Sequence, residues 1–365
     1  MTMCIEKLQC HGHILPYPAF AAQPIPYLEL PILKHAAMCY TSVMFSDFRI
    51  LLLCLPWTAA ALTFTTVCEL DRPDEPTSLS SLSFVSNGVY WSSTDWKPAL
   101  HEIVLRQGAD GKPDGLKITR LCALEGAKDV EGLAYDPLRG TFWAADEVHG
   151  KVSEYDPRSG RQLGNVELPA IFKKCRWTYG FESLCIRPDG LEMWLANEEA
   201  LTCDGPVSTP EHGTTVRLAR FTRTGRDGTW EAAGQWAYAT DSLGGGAPFN
   251  GCRSGLSSLC ALEDGTLLAL EREYSFKPLP AMRCRIYAID RSQATDIAAR
   301  ESLAPGTLPF TPVAKTILYD ADTGLAMYEG LAPGPIASDG SRLFYLISDG
   351  DKMMSRKLRV LRLSK

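Results

Sequence analysis

Two stretches of this chain carry carboxylates at both open ends of what reads as a strand, a turn and a second strand, and a third carries them at the close of its second strand. They are "VEGLAYDPLRGTFWAADE" from Val130 to Glu147, "FESLCIRPDGLEMWLANEE" from Phe181 to Glu199, and "LSSLCALEDGTLLALERE" from Leu256 to Glu273. In an antiparallel hairpin the start of the first strand lies beside the end of the second, because the turn occupies the opposite end. The spacing therefore sets Glu131 beside Asp146 and Glu147, Glu182 beside Glu198 and Glu199, and Glu271 and Glu273 opposite Ser257. A later stretch, "YEGLAPGPIASDGSRLFYLISDGD", sets Glu329 near Asp349 and Asp351.

Carboxylates forced together repel one another and their pKa values rise unless a cation neutralises them. A hard divalent ion suits such a set: Ca2+ accepts oxygens from separate loops in loose geometry, whereas Mg2+ demands a stricter octahedron. Ca2+ is thus the expected cofactor. The candidate ligands are Glu131, Asp146, Glu147, Glu182, Glu198, Glu199, Glu271, Glu329 and Asp349. Glu182, Glu131 and Glu271 are the candidate catalytic carboxylates, one of which would serve as base toward water.

Basic residues adjoin the same positions. Arg272 lies between Glu271 and Glu273, Arg253 just before the third of these hairpins, and Lys352 after Asp351. With His149, in the loop "DEVHGKV", they are candidates for orienting an anionic ester. Arg272 reads equally well as an ion-pair partner of its neighbours, and His149 as a solvated loop residue. Other catalytic signatures are missing: "RSGLSSL" lacks the closing glycine of a nucleophile elbow, and neither a phosphate loop nor a dinucleotide fingerprint occurs.

The elements that must position these acids repeat along the chain. Five segments share an opening leucine, at Leu82, Leu133, Leu184, Leu259 and Leu331, spaced 51, 51, 75 and 72 residues apart. Each segment continues with two further strand candidates, as in "KVSEYD", "PRSG" and "RQLGNVEL". A four-stranded meander of that length cannot bury both faces alone, but several packed radially can. The predicted fold is all-β, a β-propeller of five or six four-stranded blades, with a β-sandwich as the alternative. A sixth blade would have to lie within 200 to 255 or 290 to 325. The C-terminal "KLRVLRLSK" is expected in the last blade, completed by "LTFTTVCEL" from near the other end, which would close the ring.

Composition agrees with this class. The 365 residues are 45% hydrophobic and 22% charged with a formal charge of -6, enough apolar content for a sizeable core. No Lys/Arg cluster is interleaved with aromatics, so nucleic acid is not an expected partner. A small-molecule anionic ester is the expected substrate, and the protein is expected to be a monomer. Near position 50, "FRILLLCLPWTAAAL" has the charge, short apolar run and small residues of a signal peptide. The reading is therefore an upstream extension over 1–43 preceding the start at Met44, a signal peptide over 44–61, and one propeller domain over 62–365. The mature chain is expected to be periplasmic or secreted, with no membrane attachment after cleavage. Eight of the twelve cysteines lie beyond that point. Cys185 and Cys260 occupy equivalent repeat positions and read as buried thiols, while Cys175, Cys203, Cys252 and Cys284 read as loop cysteines open to bridging.

Taken together, "VEGLAYDPLRGTFWAADE", "GFESLCIRPDGLEMWLANEE" and "DGTLLALERE" resemble the phytase-like family, described as having esterase-like activity of phytase. The resemblance implies an exported propeller related to alkaline phytases, which use calcium and carboxylates at the tunnel mouth to hydrolyse phosphate monoesters. It carries over to Glu131, Asp146, Glu147, Glu182, Glu198, Glu199, Glu271 and Glu329. The dense run of Lys, Arg and Asp expected for a multiply phosphorylated inositol is missing, which favours a smaller ester. Two other functions fit the same acids: a non-catalytic binding propeller with structural calcium, and a metal-dependent lactonase.

Overall fold

The computed structural model describes residues 62–108, 112–244, 252–276, 280–337, 339–350 and 354–364. The expected extension and signal peptide, and Lys352 with Asp351, lie outside the described residues. The described chain is a five-bladed β-propeller of four-stranded antiparallel sheets. The strands, in chain order, are β1 (Thr63–Asp71), β2 (Ser83–Ser86), β3 (Val89–Ser93), β4 (Ala99–Gln107), β5 (Pro113–Ala123), β6 (Val130–Asp136), β7 (Thr141–Asp146), β8 (Lys151–Tyr155), β9 (Gln162–Asn165) and β10 (Phe181–Ile186). They continue with β11 (Glu192–Asn197), β12 (Thr215–Thr222), β13 (Glu231–Ala239), β14 (Arg253–Ala261), β15 (Leu267–Phe276), β16 (Pro280–Asp290), β17 (Ala314–Gly324), β18 (Met327–Ile336), β19 (Arg342–Asp349) and β20 (Lys357–Ser364).

Blades 1 to 4 run β2–β5, β6–β9, β10–β13 and β14–β17, and blade 5 runs β18, β19, β20, β1. The fifth sheet closes as expected: β1 pairs antiparallel with β20 from Thr63↔Ser364 to Asp71↔Lys357. Closing the sheet with β1 and β20 makes blade 5 from the first and last strands of the described residues. Phe64 secures this strand, buried and edge-on to Phe344 at 4.9 Å. Phe64→Ala is expected to cost about 3–4 kcal/mol, from lost burial plus the cavity left behind, measured as a lower midpoint in chemical denaturation.

The wide spacing around residues 291–313 holds no sixth blade. That segment is strand-free and drapes Ile297 and Leu303 over Ala237 of β13. Buried Arg217 holds it there: the guanidinium pairs with Asp204 at 2.6 Å and donates to the Ile297 and Arg300 carbonyls at 3.4 and 3.0 Å. No helix among the described residues is long and apolar enough to cross a membrane. The eight described cysteines are free thiols. Cys185 and Cys260 are buried as expected, but Cys284 lies inside β16 in the core and not in a loop.

Local chemistry explains the repeat. In the turn "DPLRG", Asp136 Oδ1 accepts the Leu138 and Arg139 amides at 3.1 and 3.2 Å, and Gly140 takes φ 69°, where a side chain is strained. Each blade's first strand lines the tunnel, and neighbouring first strands approach closely. A Cβ on Gly132 would lie 2.9 Å from Leu184 Cβ, and one on Gly330 would lie 2.6 Å from the Leu82 amide nitrogen. This close approach accounts for the shared "EGLA" of β6 and β18. The five repeat leucines are buried together and line a small cavity of about 120 Å³. They seal one end of the tunnel with apolar side chains.

Candidate functional site

The acids collect at the other end of the tunnel, and backbone irregularities decide which ones. The ladder register slips by one residue at Glu131, Glu182, Ser257 and Glu329, each two residues before a repeat leucine. A β-bulge of this kind re-aims the unpaired side chain. Beyond each slip the next residue on the partner side is the one brought to the axis: Glu147, Glu198, Arg272 and Asp349, one position past the ladder partners Asp146, Asn197, Glu271 and Ser348. In blade 1 the bridge Leu79↔Thr94 puts Asp95 in the same place.

Strand alternation sends the preceding residue of each pair the other way, where it pins a loop. Asp146 accepts the Lys128 and His149 amides at 3.1 and 3.0 Å and contacts His149 Nδ1 at 2.7 Å. Glu271 accepts from Tyr238 Oη, the Asp241 amide and Lys315 Nζ at 2.6, 2.9 and 2.6 Å. Neither therefore joins the acid ring, and His149 follows Asp146 away from it. The expected place of Glu271 is taken by Arg272, whose guanidinium lies 2.7 Å from Glu198, 3.0 Å from Glu329 and 3.6 Å from Glu182. Arg272 is thus the counter-ion of three acids on blades 3 and 5, and not of its sequence neighbours. Glu199 turns aside to Arg253 at 3.0 Å, and Arg253 stacks on Tyr179 at 4.5 Å. That pair commits Arg253 to a carboxylate.

The residues brought together are Glu131, Glu147, Glu182, Glu198, Glu329 and Asp349, joined by Asp95 and Asp129. Spacing along the hairpins singles out neither Asp129, which directly precedes "VEGL", nor Asp95. Oxygens of Asp129, Glu131 and Glu147 lie within 4.8 Å of one another, as do those of Glu147, Glu182 and Glu198. Glu147 belongs to both trios. The second trio already has Arg272. The first has no Lys or Arg within ion-pair distance among the described residues, and Glu147 Oε1 accepts the Gly180 amide at 2.5 Å.

Burial and like charge raise these acids together. Desolvation, then Glu329, pushes Glu131 well above the usual carboxylate range; desolvation, then Glu198, does the same for Glu182. Glu329 is likewise raised by burial, against the pull of Arg272. Glu147 is pushed to about 7 by burial, and Asp129 and Asp349 to about 6 by burial and then by Asp95. Four buried carboxylate oxygens have no hydrogen-bond partner among the described residues: Asp129 Oδ1, Glu182 Oε2, Glu198 Oε2 and Asp349 Oδ1. All four belong to this ring. A buried acceptor without a donor is costly, and hard oxygen donors in excess of local cations fit a hard divalent ion.

Fold and site together define an acid-mouthed five-bladed propeller. The chain belongs to the phytase-like family, whose model, described as esterase-like activity of phytase, matches residues 76–352. No curated protein matches the chain. Among solved structures, hydrazine synthase of Kuenenia stuttgartiensis is 12% identical over 76% of this chain, which spans 57% of that chain, with TM-score 0.33. A gluconolactonase of Xanthomonas campestris is 10% identical, over 81% of this chain and 89% of the other, with TM-score 0.36. A chain of the mitotic checkpoint complex is 11% identical, over 93% and 100%, with TM-score 0.39. At such values these likenesses say nothing about chemistry.

Proposed function

We propose that this chain is an exported, calcium-dependent hydrolase of phosphate or related esters whose site is the acid ring. The observation that carries the reading is the set of four buried, unpartnered carboxylate oxygens around a trio that has no protein cation. Asp129, Glu131 and Glu147 would hold the ion, and Asp349 and Asp95 would add to the negative field behind it. When bound, the ion would neutralise the acids and polarise the ester oxygen. Glu182 lies beside the trio through Glu147 and keeps one oxygen free of hydrogen bonds, which suits it to accept a proton from water. Arg272 holds Glu182, Glu198 and Glu329 in place from inside the ring. Export rests on the leader-like segment near position 50.

The test combines calcium titration with a panel of phosphate, carboxylate and lactone esters. Calcium-dependent turnover of phosphate monoesters, reduced by a factor of about 100 or more in a Glu182→Gln variant that still unfolds cooperatively, is the expected result. Calcium-dependent melting with no turnover of any ester would reduce the ring to a structural role.

A further inference from the structure

Two tryptophans stand out among the described residues. Trp96 is 67% exposed and Trp177 84%, and they are the only aromatic side chains among the large exposed hydrophobic residues described. Each is followed by a strained residue. Lys97 and Thr178, at φ 60° and 59°, are the only non-glycine residues with positive φ among those described. Such backbone costs free energy and persists where the surroundings enforce it, often at functional sites.

Both tryptophans are tied to the same acids. Trp96 lies in the Thr94–Ala99 turn directly after Asp95, and its backbone bridges to Asp129. Trp177 lies at the tip of the Arg176–Tyr179 turn, and the Gly180 amide that follows donates to Glu147 Oε1. One turn reaches the Asp129–Glu131–Glu147 trio from blade 1, the other from the segment leading into blade 3. Val148, the residue after Glu147, is 41% exposed. The turns that carry the two exposed tryptophans thus each adjoin an acid of the trio.

We infer that Trp96 and Trp177 clamp the ring of a ring-bearing ester, an aryl or sugar ring with a flat apolar face, while its charged end meets the acid ring. This rests on the proposed function for the charged end alone. Indole faces hold flat rings by stacking and desolvation at small entropic cost, since each has two side-chain torsions. The chain's formal charge of -6 and the acids adjoining both turns disfavour an anionic bilayer in the same place.

The experiment measures binding to the calcium-loaded protein by calorimetry and by quenching of tryptophan fluorescence. Phenylphosphonate and methylphosphonate share the anion and differ in the ring; benzyl alcohol and methyl glucoside present an aryl and a sugar face without charge. Phenylphosphonate is expected to bind about tenfold more tightly than methylphosphonate, a gain lost in Trp96→Ala with Trp177→Ala. Both positions are exposed, so unchanged melting of the double variant shows that the fold is intact. If neither phosphonate binds but a neutral ring does, in a tryptophan-dependent way, the clamp stands and the ester reading falls. Equal binding of the two phosphonates, no ring-dependent binding at all, or a gain unaffected by the substitutions overturns the clamp. So does tryptophan-dependent sedimentation with phosphatidylcholine vesicles in place of ring binding.

Discussion

Glu147→Gln is expected to weaken calcium binding on the order of 100-fold while making the calcium-free protein more stable at pH 8. The two effects have one origin. Glu147 is the carboxylate common to both trios, so its loss would take a charged oxygen donor from each. In the calcium-free protein the same carboxylate is held among like charges, with its pKa pushed from 4.5 to about 7, first by burial. A carboxyl group whose pKa is raised by folding binds its proton more tightly folded than unfolded. Its contribution to stability is present below the unfolded value near 4.5 and is lost as pH rises through about 7. At pH 8 that loss is on the order of 2–3 kcal/mol, which glutamine avoids because it carries no charge.

The pH dependence follows with the same sign. Asp129 and Asp349, pushed to about 6, act in the same direction as Glu147. Without calcium the protein is expected to melt at a higher temperature at pH 5 than these acids allow at pH 8. With calcium the order is expected to reverse, because an ion held by these acids would displace the protons and bind more tightly as pH rises from 5 to 8. Melting curves with calcium and with a chelator, at both pH values, check this for wild type and variant. Wild-type calcium affinity in Glu147→Gln would remove the shared ligand from the site.

Arg272→Met carries the larger stability effect, a loss of about 3–5 kcal/mol in the calcium-free protein at pH 8. The guanidinium lies 2.7, 3.0 and 3.6 Å from Glu198, Glu329 and Glu182, and its side chain is only 14% exposed. Methionine fills similar space but leaves three enclosed acids without a cation. Low pH should restore much of the loss, since Glu182 and Glu329 take up protons readily. Combining the change with Glu198→Gln should recover part of it at pH 8, a sign that charge and not packing was lost. Denaturation midpoints of the single and double variants at two pH values separate the two causes. A midpoint unchanged at pH 8 would show that Arg272 is not the ring's counter-ion.

The sequence by itself determined the blade pattern, the closure of the ring by strands from near its two ends, and the end of the tunnel where acids gather. These follow from local rules. A period of two marks the strands, turns such as "DPLRG" set the hairpins, and the open end of a hairpin must carry both strand termini. Leu133 and Leu184 repeat because every blade needs the same apolar plug.

What the tertiary structure alone decided is which member of each acidic pair faces the axis. Glu147 does and Asp146 does not; Arg272 does and Glu271 does not. Adjacent residues on a strand point to opposite faces, so a shift of one position exchanges them. The position is set by bulges at Glu131, Glu182, Ser257 and Glu329, beside first strands packed so closely that Gly132 and Gly330 have no room for a Cβ. Asp129 entered the cluster, and Glu199 left it for Arg253, for a related reason: their neighbours come from other blades and loops, and spacing along one hairpin holds no record of them.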